Sequence, residues 1–234
     1  MSSELPACAL TTLVMTNNQV KVGVFDSGIG GLSVVNAIEQ SFPELTIIFK
    51  NDAQHVPYGD REPVEILEFI KPIFQSFIDE GCQVMVVACN TVSTTLITQL
   101  REMFDVPFIA IEPMIKPAAQ ITTSKIIAVC ATPTTLNSPR YAELKQTFAT
   151  DLKVIEPDCS DWSRLIEHNS MNEALIAEQL EPALQAGADV IVLGCTHYHW
   201  IEQEVKEIVG SRATVLQPEP AIIRQLKRVL ARQS

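Results

Sequence analysis

Short apolar runs alternate with amphipathic stretches along most of the chain. Val20–Phe25, Leu45–Phe49, Val84–Ala88, Val106–Ile111, Lys125–Cys130, Leu152–Ile155, Val190–Leu193 and Ala213–Leu216 are each short and rich in Val and Ile. They are mostly apolar on both faces, the pattern of strands buried in a parallel sheet. Between them, Val92, Leu96, Leu100 and Met103 recur at helical spacing, as do Ile201, Val205 and Ile208. The stretch from Glu62 to Glu80 carries Ile66, Ile70, Ile73, Phe74 and Phe77 on one helical face, and its Pro72 predicts a kink or a break. Alternating strands and helices predict an α/β fold with mainly parallel sheets.

The pattern repeats. EGCQVMVVACNT (80–91) aligns without gaps on AGADVIVLGCTH (186–197), so that Cys89 meets Cys195, 106 residues later. KVGVFDSG aligns on KIIAVCATP with Asp26 on Thr132, again 106 residues later. A shared offset at two strand ends predicts two related α/β halves, each with a polar residue after its first strand and a cysteine after a later one.

Ligands of parallel α/β sheets bind at the carboxyl ends of strands, where helix N-termini also point. Cys89 and Cys195 stand there, each just before a predicted helix, and unpaired backbone N–H groups at such places favour a thiolate. An isolated strand-end cysteine is more often plain core; one in each half at the same place points to chemistry. Facing halves would set the two thiols on opposite sides of one cleft. Two such groups can remove a proton from one face of a carbon and return one to the other. Asp26-Ser27-Gly28 with Gly30-Gly31 forms a turn suited to holding a carboxylate, though Asp26 would serve equally as a helix cap. GxGxxG and GxxxxGK[ST] are both absent, which argues against a nucleotide loop. His197 is placed to tune Cys195, and Pro57-Tyr58-Gly59 to form one wall of a cleft. His55 and His168 have no sequence-local partner and read as surface residues. Cys8, Cys82, Cys130 and Cys159 read as structural.

Composition narrows the function classes. The 234 residues are 47% hydrophobic and 19% charged, a globular balance, and the net charge of −11 argues against a nucleic-acid partner. Six irregularly spaced cysteines without a CxxC pair predict free thiols rather than disulfides or structural zinc. Residues 1–20 read as a flexible leader that lacks the basic start of a secretory signal, and no apolar run is long enough to span a bilayer, so a cytoplasmic protein without a membrane partner is expected.

VFDSGIGGLSV, VPYG, ACNT and GCTHY, in this order, resemble the glutamate racemases of the aspartate/glutamate racemase superfamily, and ATPTTLNSPRY resembles the family's second-half segment. The resemblance runs from about Val22 to the C-terminal helix. It implies two similar α/β domains, 21–113 plus 218–234 and 114–217, with the active site in the cleft between them. It also implies interconversion of L- and D-glutamate without a cofactor or metal, a supply of D-glutamate for peptidoglycan, and a homodimer. Cys89 would act on the D-enantiomer and Cys195 on the L-enantiomer, assisted by Asp26, His197 and Glu167. Asp26, Ser27, Tyr58, Gly59, Asn90, Thr91, Thr132, Thr196 and His197 would contact the substrate. A racemase for aspartate or another amino acid, or a decarboxylase or isomerase of the superfamily, is the alternative. Two departures stand out: His199 occupies the place of the family's usual proline after GCTHY, and Cys159-Ser160 that of a common Cys-Pro. The long N-terminal extension through which some members bind a peptidoglycan precursor is missing, so control by that activator is not expected.

Overall fold

The computed structural model describes residues 19–233; Cys8 and most of the expected leader lie outside them. All eight expected strands form: β1 Lys21–Asp26, β2 Thr46–Asn51, β3 Val84–Val87, β4 Phe108–Ala110, β5 Ile126–Cys130, β6 Lys153–Ile155, β7 Val190–Leu193 and β8 Thr214–Leu216. They pair in parallel as two four-stranded sheets of orders β2-β1-β3-β4 and β6-β5-β7-β8. The second order is the first repeated, as the internal repeat requires.

Eleven α-helices connect the described strands. The first half contains α1 Leu32–Ser41, α2 Pro63–Asp79, α3 Asn90–Thr95 and α4 Ile97–Met103. The second contains α5 Ile115–Ile121, α6 Pro133–Leu136, α7 Pro139–Phe148, α8 Trp162–Glu167, α9 Glu173–Gln185 and α10 Glu202–Val209. The C-terminal α11, Glu219–Gln233, returns to pack on α1 and β4, burying Ile222 and Leu226 in the first half's core. Pro72 does not break α2, which runs continuously through it. Both Pro72 and Glu68, the residue whose carbonyl loses its partner, face solvent, while Ile66, Ile70, Phe74 and Phe77 fill the buried side.

Each sheet buries both faces, with alternate residues feeding separate cores. Phe25, Met85, Val87 and Cys89 share one cluster, while Val22, Val24, Val84 and Val86 share the opposite one. In the second half Cys130, Ile191, Leu193 and Cys195 correspond to the former group, and Ile127, Val129, Val190 and Val192 to the latter. This pairing corrects the repeat by one residue. The N–H of Ala88 bonds the carbonyl of Phe25, and that of Gly194 bonds the carbonyl of Cys130. Phe25 therefore corresponds to Cys130, 105 residues later, while β3 and β7 keep the offset of 106. A strand apolar on both faces carries no alternation to fix its register, so the sequence alignment slipped there. The equivalence of Cys89 and Cys195 is unaffected.

Candidate active site

Cys89 ends the β3 side of its turn, and its carbonyl begins α3; Cys195 stands just before a 3-10 turn, Thr196–Ile201. Both are nearly buried, and both line one cleft between the halves. Ser27, Tyr58, Gly59, Asn90, Thr91, Thr132, Glu167, Thr196 and His197 line the same cleft. Of the expected site residues only Asp26 lies behind its wall.

The cleft is closed on one side by contacts between the halves. The hydroxyls of Thr91 and Thr132 lie 3.3 Å apart, and the Thr134 hydroxyl donates to the Gly59 carbonyl. The Tyr58 hydroxyl donates to Asp52 at 2.6 Å, which fixes the ring in the wall. Asn90 is different: it is 3% exposed, and neither its amide nitrogen nor its amide oxygen has a partner. A buried carboxamide bonded to nothing is expensive, unless a ligand's polar groups complete it.

Asp26 is expected to touch substrate or cap a helix, and its geometry is that of the cap. One carboxylate oxygen accepts from the N–H groups of Gly28 at 3.2 Å and Gly31 at 2.9 Å, at the start of α1. The other accepts the Thr196 hydroxyl at 3.0 Å, tying the first-half turn to the residue after Cys195. Fully buried and fully bonded, Asp26 shapes the wall from behind.

The two thiols have unlike surroundings. Cys89 Sγ donates to Ser27 Oγ at 3.5 Å. Burial, and then the negative charge of Asp26, push its thiol up to about 12, against the smaller pull of the Ser27 and Val92 hydrogen bonds. This corrects the expectation that both strand-end thiols are lowered, because loss of water outweighs the amides at the start of α3. Cys195 Sγ lies 3.5 Å from Ser163 Oγ and 3.8 Å from His197 Nδ1. His197 Nε2 in turn meets Glu167 Oε1 at 2.5 Å. Burial would lower the imidazole, but Cys195 and Glu167 together raise it to about 11, so it stays charged beside Cys195. The same hydrogen bond holds Glu167 below the usual carboxylate range.

These surroundings predict a direct titration result. In Cys195→Ser protein, iodoacetamide labelling of Cys89, located by mass spectrometry, should accelerate with pH up to pH 10 without levelling off, because only the thiolate reacts. Asp26→Asn removes the nearest negative charge and should move the profile to lower pH. A plateau below pH 9 would contradict the assignment.

Sequence reasoning missed Ser163, Arg164 and His168, which also line the cleft. The available signal was the four-residue spacing of Ser163 and Glu167, which places both on one face of α8. His168 is exposed as expected, yet stands at the cleft. His55 has a partner after all, since its Nδ1 lies 2.7 Å from an Asp52 oxygen. Cys82, Cys130 and Cys159 are buried free thiols, as expected.

Two α/β halves of matching strand order have the fold of glutamate racemase structures. The Escherichia coli enzyme, in complex with L-glutamate and the activator UDP-MurNAc-Ala, superposes with a TM-score of 0.84 at 31% identity, covering 91% of this chain and 83% of that one. The Francisella tularensis glutamate racemase in complex with D-glutamate gives 0.79 at 26% identity, covering 93% and 82%. The Asp/Glu/Hydantoin racemase family model matches residues 23–226. The glutamate racemase of Ralstonia pickettii is 38% identical over 220 residues, which is 92% of this chain and 78% of that protein. The chain therefore belongs to the Asp/Glu/hydantoin racemase family.

Proposed function

We propose that the protein interconverts L- and D-glutamate by moving the Cα proton between Cys89 and Cys195. The observation that carries this reading is the placement of two equivalent strand-end thiols on one cleft. On this reading Cys195 takes the proton from L-glutamate while Cys89 delivers one to the opposite face, and the reverse reaction swaps their roles. The high thiol of Cys89 suits it to the acid role in the resting protein, and the charged His197 beside Cys195 suits that sulfur to the base role. After one turnover the protonation states are exchanged, and the protein is ready for the other enantiomer.

Asn90, Ser27, Thr91, Thr132 and Thr196 supply the polar lining for an amino acid with two carboxylates, and the free amide of Asn90 is the clearest such group. The narrow, mostly buried cleft replaces water with fixed dipoles around the carbanion, which is how a site without an electron sink can lower the barrier. Glutamate is preferred to aspartate because relatives at 36–39% identity over nine-tenths of the chain are glutamate racemases. The same reading gives the protein a place in the cytoplasm, supplying D-glutamate for peptidoglycan, and a homodimeric state measurable by light scattering.

The test is polarimetric. L-Glutamate should lose its rotation until the mixture is racemic, and D-glutamate should approach the same end point, with aspartate turned over far more slowly. Undiminished rotation of both glutamate enantiomers would refute the activity. Faster loss with aspartate would reassign the substrate.

A further inference from the structure

His199 is the fourth residue of the turn that follows Cys195, yet it takes no part in the chemistry above. It is 9% exposed, and its side chain spans the boundary between the halves. Nδ1 lies 2.9 Å from Glu219 Oε1, on the first residue of α11, and 3.1 Å from Ser33 Oγ, in the first turn of α1. Ser33 in turn donates to the Gly30 carbonyl at 3.1 Å, so its oxygen is free to accept. Burial alone would raise the Glu219 carboxyl, but the hydrogen bond from His199 helps hold it below the usual carboxylate range. An ionised carboxylate only accepts, which makes Nδ1–H the donor shared by Glu219 and Ser33. His199 Nε2 and Glu219 Oε2 are buried with no partner, so every polar contact of the imidazole goes through Nδ1.

The bond falls where backbones of the two halves approach closely. A Cβ on Gly30 would come within 2.7 Å of the Thr196 backbone carbon and 2.8 Å of the His197 nitrogen. The α1 entrance and the Cys195 turn thus lie backbone against backbone, held at one end by Thr196 on Asp26 and at the other by His199 on Ser33 and Glu219. A turn fixed at both ends presents Cys195 and His197 to the cleft in one orientation. Fixed at one end only, it could pivot about Thr196.

We propose that His199 is a positioning residue, clamping the Thr196–Ile201 turn to α1 and α11 through Nδ1 so that Cys195 and His197 keep their aim into the cleft. Its consequence for turnover rests on the racemase reading; the clamp itself does not.

The test compares two substitutions. Asn places an N–H donor at the same distance from the backbone as Nδ1 and gives up Cε1 and the unpartnered Nε2, with a carboxamide oxygen in place of Cδ2, so His199→Asn should keep turnover far closer to native than loss of the donor does. The double variant His199→Leu/Glu219→Leu removes the clamp without leaving an unpaired buried charge. With glutamate its kcat should fall at least about tenfold in both directions while KM changes little, since chemistry rather than binding loses its alignment. Amide hydrogen exchange should quicken across residues 196–201 and stay unchanged in β7, with a thermal midpoint close to the parent's. Should the double variant fail to fold, Ser33→Ala removes one of the two acceptors and should shift kcat and exchange in the same directions by less. Native kcat in a folded double variant, or exchange that does not change, would overturn the proposal. If the parent protein fails to racemise glutamate, the activity reading falls, and the exchange arm still decides the clamp.

Discussion

Cys89→Ser and Cys195→Ser are each expected to lose racemisation in both directions by at least about 10³-fold, within the range of about 10² to 10⁴ for removing a general acid or base. A serine hydroxyl fits the space of a thiol but gives up its proton far less readily, so the side that carries it can neither abstract nor deliver at useful rates. The two enantiomers have equal free energy, which forces kcat/KM for the L and D directions to fall by the same factor in either variant. That equality checks the assay, and the loss of turnover in both single variants, rather than in one, separates a two-sided site from one in which a single cysteine acts. A non-catalytic cysteine would leave initial polarimetric rates within a few-fold of the parent. Both sulfurs are nearly buried and make only long contacts to serine hydroxyls and to His197, so folding should survive, with thermal midpoints close to the parent's.

Gly28→Ala should lower kcat about 10²-fold, the cost of displacing catalytic groups by about 1 Å. The loop after β1 passes against the Glu167–His197 pair so closely that a Cβ at residue 28 would stand 2.8 Å from His197 Nε2 and closer still to Glu167 Oε1. Displacing either atom disturbs the 2.5 Å bond between them, and that bond orients the imidazole and, together with Cys195, keeps it charged. The substitution leaves both thiols in place, so it tests the supporting geometry alone. If the pair matters, His197 should titrate well below about 11 in Gly28→Ala when followed by NMR, alongside the loss of turnover. Full activity in the variant would show that the imidazole's aim is not needed.

The fold was legible because strands buried on both faces leave unbroken Val and Ile runs, and because the halves repeat. The same property blurred the first-strand alignment by one residue: with no polar face, nothing in β1 or β5 marks which side is which. Cys89 and Cys195 were visible as a pair through the repeat, before any motif resemblance. The motif resemblance then supplied Glu167, whose distance of 30 residues from His197 gives no local hint of a hydrogen bond. What stayed hidden depends on packing between distant segments. The raised thiol of Cys89 comes from burial and from Asp26, 63 residues away in sequence. Ser163 reaches Cys195 from α8, and Glu219 reaches His199 from α11. Pro72 does not end α2 for a simpler reason: a proline on a solvent-facing helical position costs a hydrogen bond that water replaces.

The central claim is that two thiols address opposite faces of one carbon. The most direct measurement is the early time course of L-glutamate turnover in D2O, with isotope content read separately in each enantiomer. The account predicts that D-glutamate forms with deuterium at Cα while the remaining L-glutamate keeps its protium, because the group that removes the proton is not the one that delivers. Deuterium entering recovered L-glutamate as fast as D-glutamate appears, or protium carried into the product, would contradict it.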